Sequence, residues 1–212
     1  MRITAVDVPE DIESALSSDP LALAAALAAD KTLAAAAADT ADVDSEPPRA
    51  DLILGFDTVV VLGDVVLGKP RDVPDAWRML HSLSGRTHQV ITGVSLLDPI
   101  EGEPRTFAVT TNVRMQSLTD CRIEAWMAMG EFMGCAGAYN IEGQVAEVDA
   151  DECYQNVAGL PLCHLWAALV EERRSCRWPG VPTVPVAICD AALRRQCTLG
   201  PRITSGAWAD RP

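Results

Sequence analysis

The sequence predicts an α/β protein, because helix-type and strand-type patterns alternate along its 212 residues. An alanine-rich segment that ends near Ala38 is typical of a helix. The apolar runs on either side of Gly63-Asp64 are typical of two strands joined by a tight turn. With 49% hydrophobic and 22% charged residues, the chain can bury a sizeable core in one or two globular domains.

The charge balance limits the classes of partner. The chain has 30 acidic and 17 basic residues, a formal net charge of −13. This charge repels polyanions, so we expect neither a nucleic-acid polymer nor an anionic membrane surface as partner. A small polyphosphate needs only a local basic pocket.

Cysteine usage and the N-terminal region favour a cytoplasmic protein. None of the seven cysteines forms a C-x-x-C pair, and an odd number disfavours a disulfide scaffold, so reduced thiols are expected at positions 121, 135, 153, 163, 176, 189 and 197. The apolar stretch from Leu21 to Ala29 is far shorter than the roughly 20 residues that span a bilayer. No signal peptide is expected.

The first helix should begin at Asp19-Pro20, which supplies an N-cap followed by proline at the first helical position. It carries Lys31, which on its own is typical of a solvated helix charge. Residues 40–50 are polar and contain two prolines, as expected of a surface connection.

The hairpin over Gly55–Pro70 is the central candidate element. Glycine at position 63 suits the positive φ of a type II′ turn. The hairpin places Asp57 at one end and Lys69 on the returning strand. An acid and a base held by rigid strands form a candidate site for a charged substrate.

The remaining elements follow from caps and periodicity. Asp72 should cap a helix that ends at Gly85, and Thr119 a helix that ends at Gly130. Strand-like runs at 90–97 and 106–115 predict a long hairpin. Pro161 should start a last helix whose inward residues are Leu165, Trp166 and Leu169.

Four separated blocks resemble one known family. Residues 55–60 with 68–70 are similar to G-A-D-T-V-V…G-K-P, and 84–93 to S-G-R-T-H-x-V-x-T-G. Residues 136–143 and 156–162 are similar to A-G-A-Y-G-I-Q-G and N-V-V-G-L-P-L. The chain thus resembles the Maf family of nucleoside triphosphate pyrophosphatases over about residues 6 to 172.

The resemblance implies a single ITPase-like α/β domain with a mixed, twisted sheet, helices on both sides and a central cleft. A Maf-like core over 1–174 and a C-terminal segment over 175–212 are expected. The resemblance implies that the cleft is lined by Glu10, Lys31, Asp57, Lys69 and Arg86.

The resemblance also implies hydrolysis of a nucleoside triphosphate between the α and β phosphates. Asp57, Lys69 and Glu10 would be catalytic, and Glu10 and Asp57 would bind Mg²⁺ or Mn²⁺. The substrate would also contact Lys31, Arg86 and Thr87. Arg86 could bind phosphate bidentately, whereas His88 on a strand is more often packed than a base. A homodimer is a family expectation.

Two departures from the family pattern affect substrate binding. Cys135 replaces a lysine and removes a cation, and Glu142 replaces a glutamine. An ionised Glu142 only accepts hydrogen bonds, so a base that presents amino hydrogens, such as cytosine or guanine, would be favoured. A metal ligand or a solvated acid are the alternatives for Glu142.

The family's N-terminal strand and S-x-S-P-R-R phosphate loop have no counterpart before Glu10, but residues 184–204 offer a replacement. They are interpreted as a strand followed by Arg194-Arg195, which would bind the substrate's phosphates. Residues 202–204 also repeat residues 2–4, Arg-Ile-Thr, as a circularly permuted gene would leave. The alternative is an unrelated proline-rich tail with an ordinary arginine pair.

Two other functions compete with the pyrophosphatase. Without a phosphate loop, the domain could bind nucleotide without turnover and act as a regulator related to septum formation. It could also be a repurposed enzyme of specialised metabolism. A pyrophosphate-release assay distinguishes them.

Overall fold

A computed structural model describes residue 8 and residues 18–41, 52–99, 102–143, 145–173 and 183–207. The helices are α1 (Pro20–Ala41), α2 (Val73–Leu83), α3 (Asp120–Ala128), α4 (Tyr154–Val157), α5 (Leu162–Arg173), α6 (Val186–Leu193) and α7 (Leu199–Arg202). The strands are β1 (Ile53–Leu62), β2 (Val65–Leu67), β3 (Thr87–Leu97), β4 (Arg105–Met115) and β5 (Ala146–Glu147). Short turns of helix cover Ala136–Ala138, Ile141–Gly143 and Ile203–Ala207.

The five strands form one sheet in the order β2-β1-β3-β4-β5. All four pairings are antiparallel, so the parallel pairing that a mixed sheet needs is not among the described residues. Asp57 is paired with Gly93, and Val60 with Leu67. The α/β class predicted from the sequence, with helices flanking a sheet, is confirmed.

The predicted hairpins are confirmed. Gly63 connects β1 to β2 with φ of +62°, the left-handed conformation that glycine adopts without steric cost. The long hairpin of β3 and β4 pairs Thr87 with Arg114 at one end and Leu96 with Arg105 at the other.

Helix α1 covers one face of the sheet. Leu23, Ala24 and Leu27 are buried against Val59 and Ile91. The stretch Pro20–Ala38 has the length and mean hydropathy of a membrane span, 19 residues at 1.5. This helix packs on β1, β3 and β4, and 28% of the stretch is buried there.

Two glycines let α1 approach the strands. A Cβ on Gly93 would lie 2.0 Å from the carbonyl oxygen of Ala24. A Cβ on Gly55 would lie 2.4 Å from the carbonyl oxygen of Ala28 and 2.1 Å from Thr32 Oγ1. Any side chain at either position would push the helix away, so these glycines set the distance between α1 and the sheet.

The opposite face carries the larger core. Helices α2 and α3 pack there through Leu80, Leu83, Ile123 and Trp126, together with the segment from Phe132 to Val148. Helix α5 packs on the sheet in a separate cluster, in which Leu165 contacts Val94 and Leu96 of β3.

The predicted helix starts are confirmed by their caps. Asp19 Oδ1 accepts from the Ala22 amide at 3.1 Å, and Asp72 Oδ1 from the Asp75 amide at 2.8 Å. Thr119 Oγ1 accepts from the Arg122 amide at 3.4 Å. Each side chain satisfies an amide that has no partner within its helix.

The strand predicted after residue 184 is wrong, because residues 186–193 form helix α6. Alanines at 187, 191 and 192 favour a helix, and Pro185 precedes its first residue with φ of −78°. Ile188 is 65% exposed, and no pairing in the sheet involves this segment. Residues 184–204 therefore do not supply the family's first strand to the described sheet.

Candidate functional site

The site is built around a contact between α1 and β1, in which the Lys31 ammonium donates to Asp57 Oδ1. The Asp57 side chain is 3% exposed and that of Lys31 is 19% exposed. A carboxylate this far from water needs a charged or hydrogen-bonding partner, which Lys31 supplies. The structure thus brings together two residues that the sequence places 26 positions apart.

Local geometry explains why Asp57 faces the helix. Side chains alternate along β1, so Asp57, Val59 and Val61 share the face that packs against α1. Gly93, the partner of Asp57 on β3, sits directly beneath Ala24. The helix therefore passes close enough for the Lys31 side chain to reach the strand.

Lys69 follows strand β2, where the returning chain of the hairpin runs back alongside β1 toward Asp57. β2 runs antiparallel to β1 and its last described pair is Leu67 with Val60, so the chain after Leu67 continues toward the Asp57 half of β1. The Gly137 amide donates to the Gly68 carbonyl at 3.0 Å. The residue before Lys69 is therefore fixed to the 136–143 block.

The positive charge of Lys69 acts on the thiol of Cys135. Burial and the nearby Glu131 carboxylate raise the pKa of the Cys135 thiol, while the Lys69 ammonium opposes the rise. Cys135 Sγ also lies 3.3 Å from the Glu131 carbonyl oxygen. The position at which the family pattern has a lysine thus holds a thiol near Lys69.

The 136–143 block is shaped by Trp126. The indole Nε1 donates to the Ala138 carbonyl at 2.9 Å, and a Cβ on Gly143 would lie 2.4 Å from the Trp126 ring. Asn140 Oδ1 accepts from the Gly143 amide at 2.8 Å, and its Nδ2 donates to Glu131 at 3.1 Å. These contacts fix the turn that carries Glu142.

Glu142 lies near Tyr154, and Tyr154 near Arg195. Burial, followed by the Glu142 carboxylate, raises the pKa of the Tyr154 phenol, and Arg195 opposes this. The Arg195 guanidinium stacks 5.7 Å from the Tyr154 ring centroid, and its Nη1 donates to the Val148 carbonyl at 2.8 Å. Arg194 ends α6 in the left-handed conformation, with φ of 52°.

Arg86 and Thr87 are not brought together with Asp57. Thr87 begins β3 six positions before Gly93, the partner of Asp57, a separation of about 20 Å at the usual rise per residue. Arg86 Nη1 lies 3.4 Å from the Ser82 carbonyl oxygen at the end of α2. Glu10 lies outside the described residues.

His88 is packed, as its place on a strand predicts. It is 2% exposed, and its Nε2 lies 2.6 Å from the Tyr139 hydroxyl. Burial lowers the pKa of His88 to about 4, so the ring is neutral at physiological pH. Its contact with Tyr139 joins β3 to the 136–143 block.

Asn156 is a further functional candidate to which no sequence pattern gives a role, and it is fully buried. Its Nδ2 lies 3.2 Å from the Val90 carbonyl oxygen and 3.0 Å from that of Val109. Its own carbonyl accepts from Thr92 Oγ1 at 2.9 Å. Asn156 thus fixes α4 to the middle of β3 and β4; its membership of the 156–162 block was the available signal.

The donor chemistry around Asp57 is that of an oxygen site. Within the ranges that the structure describes, no group of three or more His, Cys, Asp or Glu residues is arranged to hold a metal ion. Mg²⁺ is commonly held by one or two carboxylates together with substrate phosphates, and Asp57 provides one such carboxylate. The donor set therefore fits a metal that arrives with a polyphosphate.

Comparison with known proteins gives one family. The family model described as Maf-like protein matches residues 1–172.

Curated relatives are named dTTP/UTP pyrophosphatase. One from Syntrophotalea carbinolica is 52% identical over 114 residues, 53% of this chain and 52% of the relative. One from Ruminiclostridium cellulolyticum is 40% identical over 163 residues, 74% of this chain and 80% of the relative. One from Xanthomonas euvesicatoria is 46% identical over 124 residues, 58% and 64% of the two chains. The chain thus spans between about half and two thirds of the length of several of these relatives.

Proposed function

Because the chain belongs to the Maf-like protein family, we propose that it hydrolyses nucleoside triphosphates to the monophosphate and pyrophosphate. The observation that carries the proposal is the contact of Lys31 with buried Asp57, since these residues occupy the family positions for a cation and a carboxylate. Relatives named dTTP/UTP pyrophosphatase support this class of reaction.

Asp57 orients the attacking water and accepts its proton. Its carboxylate is held in place by β1 and by the Lys31 ammonium, so little reorganisation is needed when substrate binds. Burial between α1 and the sheet excludes bulk water from the carboxylate.

Lys31 and Lys69 neutralise the phosphates. Lys69 is an exposed residue two positions after the end of β2, on the chain that runs toward Asp57. With Mg²⁺ or Mn²⁺ bound by Asp57 and Glu10, the metal would supply further positive charge to the polyphosphate. Arg194 and Arg195 stay candidates for weak phosphate contacts only, because Arg195 is held by the Val148 carbonyl and the Tyr154 ring.

Arg86 and Thr87 have a weaker case as substrate contacts. Their separation from Asp57 along β3 argues for a structural role at the junction of α2 and β3. A cytoplasmic homodimer is proposed from the family resemblance.

The proposal is tested by pyrophosphate release from a panel of NTPs and dNTPs with Mg²⁺ or Mn²⁺. Asp57→Asn should lower turnover by roughly 100-fold or more, because the variant loses the proton acceptor. Asp64→Asn is the matched control, since Asp64 is exposed in the turn of the same hairpin. Release by the Asp57→Asn variant at the wild-type rate would refute the role. Nucleotide binding without turnover by the wild-type protein would refute the enzyme activity.

A further inference from the structure

Four cysteines surround one small cavity between the family-matching region and the C-terminal segment. Cys153 and Cys163 come from the region that the family model covers, and Cys189 and Cys197 come from beyond it. The cavity volume is about 20 Å³, enough for a water-sized group and too small for an organic cofactor. The four cysteines line this small space.

Gly200 brings two of these sulfurs to the same point. A Cβ on Gly200 would lie 3.2 Å from Cys163 Sγ and 3.6 Å from Cys197 Sγ. The Gly200 amide also donates to Cys197 Sγ at 3.2 Å. Both sulfurs therefore lie next to the same open position, which the absence of a side chain at Gly200 leaves unfilled.

The two thiols differ in accessibility. Cys163 is 8% exposed on α5, whereas Cys197 is half-buried in the loop between α6 and α7. The Asp190 carboxylate accepts from the Cys197 amide at 2.8 Å and holds this loop in place. A reagent from solution therefore meets Cys197 before it meets Cys163.

We propose that Cys163 and Cys197 form a redox-active dithiol that closes to a disulfide and fastens the C-terminal segment to the core. The oxidant is a low-molecular-weight disulfide of the glutathione class. Among the described residues no group of three or more His, Cys, Asp or Glu is arranged so that it could hold a metal ion, and this includes the four cysteines of the cavity.

The reaction takes two thiol–disulfide exchanges. The Cys197 thiolate attacks the oxidant, which forms a mixed disulfide and releases one thiol. Cys163 then loses its proton to solvent and attacks Cys197 Sγ. The new Cys163–Cys197 bond replaces the bond to the second oxidant thiol, which leaves as thiolate and takes up a proton. The two cysteines are oxidised, and one small disulfide is reduced to two thiols.

The second exchange is the slow one. Burial raises the pKa of the Cys163 thiol to about 12, so little thiolate is present at neutral pH. The rate of closure should therefore rise on the order of tenfold for each pH unit below that value.

The test treats the full chain with oxidised glutathione at several pH values and maps cross-linked peptides without reduction. The expected product is one intramolecular Cys163–Cys197 bond. Cys163→Ser should stop at a mixed disulfide on Cys197, and Cys197→Ser should abolish both products. Cys121→Ser is the matched control, because Cys121 is exposed on α3 and should not affect closure.

Tryptic cleavage after Arg194 gives a second readout, since a covalent link restrains opening of the segment. The disulfide should slow this cleavage on the order of tenfold. A cross-link between a different pair overturns the proposal. So does a persistent mixed disulfide on wild-type Cys197, or no cross-link where Cys121 is fully modified.

Discussion

Two regions of the molecule hold charged side chains in different ways. In the ion-pair region, Lys31 from α1 meets Asp57 from β1, and the carboxylate is buried. In the tail-docking region, Arg195 meets the Val148 carbonyl and the Tyr154 ring.

The difference concerns what each cation does. A buried carboxylate with its cation is a charged, preorganised pair that can serve chemistry. A guanidinium on a neutral carbonyl and an aromatic ring mainly attaches one segment to another. We therefore expect the proposed catalysis in the ion-pair region and attachment of the C-terminal segment in the tail-docking region.

The largest loss of stability is expected from a substitution that pushes α1 away from the sheet. Gly93→Ala places a methyl group 2.0 Å from a backbone oxygen of α1, so the helix must shift. Denaturant unfolding should show a loss of about 3 kcal/mol or more. Pyrophosphate release should fall with it as Lys31 moves from Asp57. Gly134→Ala is the matched control, because its Cβ would meet nothing within 4 Å; an equal loss in both variants would contradict the account.

Stability should also depend on pH through His88. Its pKa is lowered by burial from 6.5 to about 4, so the unfolded chain binds the proton more tightly than the folded one. The contribution is fully present above pH 6.5 and is lost as pH falls toward 4, by about 1.4 kcal/mol per pH unit. Urea unfolding at pH 7 and 5 measures this slope. His88→Gln should have a smaller slope; an unchanged one would show that other groups cause it.

A smaller loss is expected in the tail-docking region. Arg195→Gln removes the stacking on Tyr154 and weakens the hydrogen bond to Val148, which should cost about 1 kcal/mol. Limited proteolysis of the C-terminal segment reports this loss more directly than global unfolding. Arg202→Gln, on an exposed position of α7, provides the control. Equal protection in the wild type and the Arg195 variant would remove Arg195 from the attachment.

The smallest expected effect is on base preference. Glu142→Gln restores a donor, so turnover of TTP and UTP relative to CTP and GTP should rise severalfold, within about tenfold. The same nucleotide panel measures the ratio. A wild-type protein that already prefers TTP or UTP would contradict a contact between Glu142 and the base.

The hairpin and the helix caps could be predicted from sequence because they rest on local rules. Gly63 needs a positive φ, and Asp19, Asp72 and Thr119 cap adjacent amides. The C-terminal segment could not be predicted in this way. Val184-Pro185-Val186 and Ile188 have β-branched residues typical of a strand, but the alanines that follow favour a helix.

The candidate site was predictable only as a set of motif positions. Nothing local shows that Lys31 reaches Asp57, because that contact depends on two glycines that set the position of α1. Nor does the Ser84–Gly93 block reveal that β3 carries Arg86 away from Asp57, since this follows from the register of β1 and β3. The motif resemblance identifies the candidate residues, but only the strand pairing shows how far apart they lie in the structure.

We propose that catalysis takes place in the ion-pair region and that the tail-docking region only attaches the C-terminal segment. Pyrophosphate release by Asp57→Asn and Arg195→Gln, measured side by side at saturating nucleotide, tests it most directly. We expect a loss of roughly 100-fold or more for Asp57→Asn and only a severalfold change for Arg195→Gln. A larger loss for Arg195→Gln than for Asp57→Asn would contradict it and place the phosphate site at the C-terminal segment.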